Sequence, residues 1–354
     1  MNGLGQEALA MARRVGDRAA LTYTLGCIIN FTSADVSSRH RKLTAFLDEA
    51  LLLVEETGDK RAALHFPRFR VIVSLARGER DVADEAIELE GRLSAELRMR
   101  GGSPYPSLQA RLEGRLDEVE ALAQQWFVEA RRSYPWVAPF FFGAQMFDLR
   151  RAQGRLGEIE GAVQRAVAAD QVPLMAPSRA MLTLVYKEQD RREEARALFD
   201  EVAADGFRAL TDDRDRPFLL EMLAEVCCYL NDEPAAAILY ELLLPLAGYC
   251  IVFGMATVTT GSASAPLGAL ATTLGRFDDA ERHFEDAIAM NRKLRAPTWV
   301  ADAQCNYGDM LLRRNGPGDR DRAVALLNEA LAFAKECGMG KAQHDCERLL
   351  ATLT

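Results

Sequence analysis

Residues Leu267–Leu294 read LGALATTLGRFDDAERHFEDAIAMNRKL, and the fold follows from how this stretch is parsed. After Gly275, the residues Phe277, Ala280, Phe284, Ala287 and Ile288 stand three to four apart and form one stripe on an α-helix. Asp278 and Asp279 lie at the positive end of its dipole, and Arg292, Lys293 and Arg295 at the negative end. Pro297 then suits the first turn of a following helix. Before Gly275, Leu267, Leu270 and Leu274 keep the same spacing. The unit is helix, short turn, helix.

Working outward, the layout returns. DRREEARALFDEVA (Asp190–Ala203), GRLDEVEALAQQW (Gly114–Trp126) and GRLGEIEGAVQRA (Gly154–Ala166) share it, and GERDVADEAIELE (Gly78–Glu90) is a looser copy. The turns at Gly78, Gly114, Gly154, Asp190, Asn231, Gly275 and Gly316 are about 36 to 44 residues apart. No strand alternation is sustained, so β structure is expected to be negligible. The expected fold is all-α: a right-handed α-solenoid of stacked antiparallel helix pairs, continuous over 1–354, with 248–260 as the place for any subdivision.

The paired residues resemble the tetratricopeptide repeat. Leu267-Gly268 and Leu274-Gly275 precede Ala280, Phe284 and Ala287; Tyr186 precedes Ala195, Phe199 and Val202. Tyr307-Gly308 precedes Ala323, Leu327 and Ala330, with a short insertion at GPGD. The period exceeds that family's usual length of about 34. LYELLLPLAG, NYGDMLLRRNGPGDRDRAVALLNEALAFAKECGM and EALAMARRVGDRAAL narrow the likeness. They resemble the C-terminal helical region of large bacterial signalling proteins that carry a class III nucleotide cyclase, a P-loop regulatory ATPase, or both. The likeness spans nearly the whole chain and implies a regulatory role. The catalytic portions are not matched. The only Gly-Lys, Gly340-Lys341, has Lys335 where a phosphate loop needs its first glycine, and Ala342 follows it. The resemblance therefore implies a scaffold or sensor portion, free-standing or excised, with a catalytic or regulatory domain as partner in cis or in trans.

Composition narrows the partners. The chain has 354 residues, 49% of them hydrophobic, and a net charge of −9, which argues against nucleic acid. The RHRK cluster at Arg39–Lys42 reads as a solvated helix face. Arg outnumbers Lys 37 to 6, a usage that suggests a G+C-rich, bacterial genome. Seven cysteines, irregularly spaced and without CxxC, read as reduced buried thiols, and MNGLGQEALAMARR lacks the pattern of a signal peptide. A cytoplasmic location is expected.

Two stretches stand out. Between Glu241 and Arg276 no charged residue or histidine occurs. Pro245, Gly248 and Gly254 interrupt its apolar part, so a membrane span is not expected. Leu242–Leu246 reads as the end of a helix stopped at Gly248, YCIVFGMATV as an apolar connector, and the next helix as starting near Gly261. Ser262, Ala263, Ser264 and Ala265 would allow close backbone approach. The second stretch is WFVEARRSYPWVAPFFFGAQMF (Trp126–Phe147), where Pro135 and Pro139 mark a turn and a helix start. Each stretch is either buried core or a recognition surface. Their candidate partner- or ligand-binding residues are Trp126, Tyr134, Trp136, Phe140, Tyr249, Phe253, Ser262 and Ser264.

Chemistry is harder to find. GLGQEA (Gly3–Ala8) matches a dinucleotide loop only formally, with no strand before it. No G-x-S-x-G occurs, and His40, His65, His283 and His344 fall in different repeats. Cys337, His344 and Cys346 lack the close pairs of a zinc site, with both cysteines suiting buried faces and His344 a surface position. Asp212, Asp213 and Asp215 alternate with arginines as a polar loop does. No catalytic residue, cofactor or metal is expected. The leading expectation is a non-catalytic scaffold binding a protein or peptide in an open groove. The alternative is a small-molecule sensor, with an enclosed apolar cavity near the aromatics, and the third reading is a motif-less helical-cavity enzyme.

Overall fold

The computed structural model describes residues 3–31, 36–99, 101–168, 178–208, 210 and 215–353. The first helix of each successive pair stops on a residue in left-handed backbone: Gly78, Gly114, Gly154, Asp190, Asn231, Gly275 and Asn315. The last of these corrects the turn expected at Gly316, one residue on.

The N-terminal helices are α1 (Gly3–Val15), α2 (Arg18–Phe31), α3 (Val36–Thr57) and the single turn α4 (Lys60–Ala63). The pairs that follow are α5 (His65–Ala76) with α6 (Arg80–Glu96), and α7 (Tyr105–Glu113) with α8 (Leu116–Ser133). Next come α9 (Ala138–Gln153) with α10 (Glu160–Ala168), and α11 (Ser178–Glu188) with α12 (Arg192–Ala203). A 3₁₀ turn, Leu156–Ile159, leads into α10. The chain ends with α13 (Arg216–Leu230) and α14 (Glu233–Leu243), α15 (Ser264–Thr273) and α16 (Phe277–Lys293), α17 (Pro297–Arg314) and α18 (Asp319–Cys337), and α19 (Gly340–Ala351). Gly3–Ala8 lies within α1, so the formal dinucleotide motif is helical. The protein is an all-α solenoid of helix pairs, and among the described residues no helix is long and apolar enough to cross a membrane.

The charge-free stretch departs from the expectation. YCIVFGMATV is a β-hairpin, with β1 (Cys250–Phe253) antiparallel to β2 (Val258–Ser262) and a bulge between Ile251 and Val252. Helix α15 starts at Ser264 rather than Gly261. Cys250, Ile251 and Phe253 are buried, as are all five residues of β2. A strand covered on both faces shows no apolar–polar alternation, which is why the pattern reads as a mere connector. The hairpin touches α5, α9, α13, α16 and α17, and a charge there would lie beyond the reach of water. Gly261 is essential to this seat. At φ +76 a side chain is strained, and its Cβ would lie 2.8 Å from the Trp299 ring.

The packing inside a repeat follows the sequence closely. A Cβ on Gly268 would come within 2.9 Å of the Phe284 ring, and one on Gly308 within 2.8 Å of Leu327. Phe284 in turn stacks on Tyr307 at 5.7 Å. Small residues on the first helix thus admit large ones from the second.

The pairs also close on themselves. Helix α17 packs on α7, and α19 on α9. One buried cluster joins Ala110, Leu116 and Leu149 to Leu327, Met339 and Cys346; another joins Val71, Leu75 and Leu108 to Leu294 and Trp299. Gly340 sits against the Gln153 carbonyl, so closely that a Cβ would collide with it. The first helices α9, α11, α13, α15, α17 and α19 therefore surround a common interior.

Candidate functional site

The interior is a cavity of about 900 Å³. Its wall is built by helical periodicity turned inward. On α17, Trp299, Asp302, Asn306, Asp309 and Arg313 stand three and four apart and all line it. Helix α19 adds Lys341, His344, Asp345 and Arg348, α13 adds Glu221 and Glu225, and α11 adds Lys187 and Glu188. Arg151 comes from α9 and Arg111 from α7. The sector under α15 is different, with Ala265, Pro266 and Ala269, and the hairpin adds Thr260. The charge-free stretch is the uncharged part of a charged wall.

Most of these charges are paired. Arg151 donates to Glu221 Oε1 at 2.6 Å and Oε2 at 3.1 Å, and also to Glu225. Lys187 Nζ reaches Glu225 Oε1 at 2.8 Å and Lys341 Nζ the same oxygen at 3.5 Å. Burial pushes the Glu225 carboxyl up, but Lys187, Lys341 and Arg151 together outweigh it and hold it well below the usual range. For Glu221 burial wins over Arg151, and its carboxyl is raised. Burial likewise raises Asp302, although Lys341, Arg111 and Arg151 pull the other way. No ammonium or guanidinium is in ion-pair contact with Asp302 among the described residues.

Where the hairpin meets α7 and α17, polar groups are left over. Arg111 Nε donates to Asp148 Oδ2 at 2.7 Å, and its guanidinium lies 4.4 Å from the Trp299 ring centroid. Arg111 Nη1, Trp299 Nε1 and Thr260 Oγ1 have no hydrogen-bond partner among the described residues. The side chains that carry them are only 3%, 8% and 6% exposed.

The residues singled out by composition lie elsewhere. None of the eight lines the cavity. Trp126 is buried in a small cluster with Ala130 and Ala138. Tyr134 and Trp136 stand on the outer surface between α8 and α9, with Trp136 87% exposed. Phe140 and Phe253 are brought together, 5.7 Å apart, and Phe253 stacks on Phe218. Half-buried Tyr249 accepts the Ala263 amide through its carbonyl at 2.9 Å. The Ser262 amide donates to Asn291 Oδ1 at 2.9 Å, and its hydroxyl accepts the Ser264 amide at 3.2 Å. Both serines are buried, Ser264 next to Ala265 of the wall and Ser262 two residues from Thr260. The charged wall went unread, yet α13 held a signal: Glu221 and Glu225, one turn apart, are its only acids in a run of apolar residues.

Nucleophilic chemistry has little to build on here. Burial pushes the Cys228 thiol up to about 11, Cys250 up to about 12 and Cys227 higher still, while Cys305 is raised first by its hydrogen bond with Cys346 and then by burial. His283 Nε2 bonds the Tyr240 hydroxyl at 2.9 Å, away from the cavity. Cys346 is buried, Cys337 half-buried and His344 exposed on the cavity rim. Among the described residues no three His, Cys, Asp or Glu side chains stand together as a metal site would need. The side chains of His40, His65 and Arg39–Lys42, and residues Asp212 to Arg214, lie outside the described residues.

A tetratricopeptide repeat family model matches residues 260–336, from the second strand to near the end of α18. No curated protein matches the chain.

Proposed function

We propose that this protein is a non-catalytic repeat scaffold that binds a protein or peptide partner in a bacterial regulatory setting. The repeat match supports an interaction role, and Trp136 is the observation that carries the reading. Trp136 is 87% exposed, with Tyr134 and Val137 beside it, on the turn between α8 and α9, whose buried Trp126, Ala130 and Ala138 pack together. Aromatic anchors on rigid supports dominate protein interfaces. The test is capture of the partner from the native host by wild type and by Trp136→Ala. Loss of capture at an unchanged melting temperature supports the reading, and undiminished capture rejects it.

A second reading, a small-molecule sensor, is favoured by the cavity. Its chemistry is polar, in contrast to the apolar, aromatic pocket expected from composition. Ala269→Leu would fill the cavity from the α15 side. In a thermal-shift screen of organic acids, sugars, nucleotides and lipids, a ligand that stabilises wild type and loses its effect in this variant supports the reading. A screen without any such ligand rejects it.

A further inference from the structure

We infer that the outer face of α1 is a homodimer seam, in which two copies of the chain pair antiparallel along Leu4, Ala8, Met11 and Val15, with Glu7 of each copy held by Arg14 of the other. The inference goes beyond the scaffold and sensor readings and depends on neither.

Helix α1 is apolar on two sides. On the inner side Leu9 and Ala12 are buried, Leu9 in the cluster that holds Leu25, Ile28 and Leu47. On the outer side Leu4, Met11 and Val15 are 75%, 58% and 68% exposed, with exposed Ala8 between them. The four stand four, three and four residues apart, so they fall within about 60° of one another around the helix and run about 16 Å along it. That spacing is the seam of a two-helix coil. Single apolar residues on a surface are ordinary, but a continuous stripe on the first helix of an array needs cover.

The charges beside the stripe choose its occupant. Exposed Glu7 and Arg14 flank it on one side, and neither has an ion pair among the described residues. Neighbouring Arg13, by contrast, is engaged by Glu49 at 2.6 Å. Seven residues separate Glu7 from Arg14, about 10 Å along the axis, so they do not meet within one helix. A twofold axis through the middle of the stripe brings each to its opposite in the second copy, and two ion pairs form by symmetry. The same axis sets Leu4 against the other copy's Val15, and small Ala8 against its long Met11, so large and small residues alternate across the seam. A partner of different sequence would have to supply both charges and both sizes at this spacing; the chain's own copy does so without further design.

The seam is short, since four residues a side bury less than a standard interface does. The dimer is therefore reversible and fills with concentration. It would carry two Trp136 surfaces, which makes the assembly bivalent toward any partner they hold.

The test is sedimentation velocity of the full chain from about 1 μM to about 0.5 mM. Wild type should pass from monomer to dimer within that range, and Met11→Glu should stay monomeric. Glu7→Arg and Arg14→Glu each set like charges across the twofold axis twice over, and each should weaken the dimer about tenfold. Mixed in equal amounts, these two variants should recover the wild-type affinity as a heterodimer, because each then meets opposite charges in the other. All three positions are exposed, so circular dichroism and melting temperature at low concentration should match wild type. The proposal is overturned if wild type stays monomeric throughout, which would leave the stripe to a partner of different sequence. It is overturned equally if the single reversals associate as wild type does, or if their mixture associates no better than either alone.

Discussion

Two kinds of seam hold this protein together, and they differ in how they are made. Inside each C-terminal repeat the seam is apolar and local: Gly268 receives Phe284, and Gly308 receives Leu327, from the helix that follows. Where α19 meets α9, the chain's two halves join through a backbone-to-backbone approach at Gly340 and the charged network of Arg151, Glu221, Glu225 and Lys341, beside the buried cluster that holds Leu149, Met339 and Cys346. The first seam repeats and makes a solenoid. The second occurs once and turns the solenoid into a ring around a cavity. Repetition accounts for the scaffold, and the closing seam for the interior.

The contrast can be broken from either side. Phe284→Ala should have the largest effect, a loss of about 4 kcal/mol, since its ring is fully buried and a cavity would remain. Urea unfolding measures it, and a loss under 2 kcal/mol would mean the repeat seam tolerates collapse. Arg151→Met leaves Glu221 buried without its partner and should cost about 3 kcal/mol. Gly340→Ala should cost about 1–3 kcal/mol, because the clash is with backbone that cannot swing aside. Hydrogen exchange should then quicken in α9 and α19 and stay unchanged in α15 and α16; uniform quickening would merge the two seams into one cooperative unit.

Acid sharpens the comparison. At the α16–α18 contact, burial pushes Glu281 up, but Tyr307, Arg314 and Arg322 hold it down at about 2; Arg314 holds Asp319 at about 2. Both carboxyls are depressed in the folded state, so their stabilisation is present above the ordinary carboxyl range near pH 4 and is lost as pH falls toward 2. At the closing seam Glu225 behaves alike, but raised Glu221 favours the folded state as it gains a proton, which opposes the trend. The urea midpoint should therefore fall between about pH 4 and 2, and Arg314→Gln should flatten that fall. An equal slope in the variant would place the acid sensitivity elsewhere.

Most of the repeat was legible. Phe277 to Ile288 form the stripe expected of them, and the residues ending the first helices are those the turns require, with Asn315 in place of Gly316. The hairpin was hidden because burial on both faces erased its alternation. The closing seam was hidden for another reason: Gly340 and Gln153 are far apart in sequence, and neither obeys a local rule. The cavity wall escaped because charges on a helix read as solvated by default, and nothing within α17 says that Asp302 and Asp309 face inward. Composition drew attention to the aromatics instead, which the fold divides between core and outer surface.

A ring imposes an order on the chain's manufacture. The flanks of α8 and α9 that carry Leu116, Val119 and Leu149 are completed by α17–α19, which leave the ribosome roughly two hundred residues later. Until then those flanks wait with their greasy side in water, vulnerable to any sticky neighbour. Slowing translation between α9 and α17 should therefore lower the soluble yield more than the same pause placed after α19.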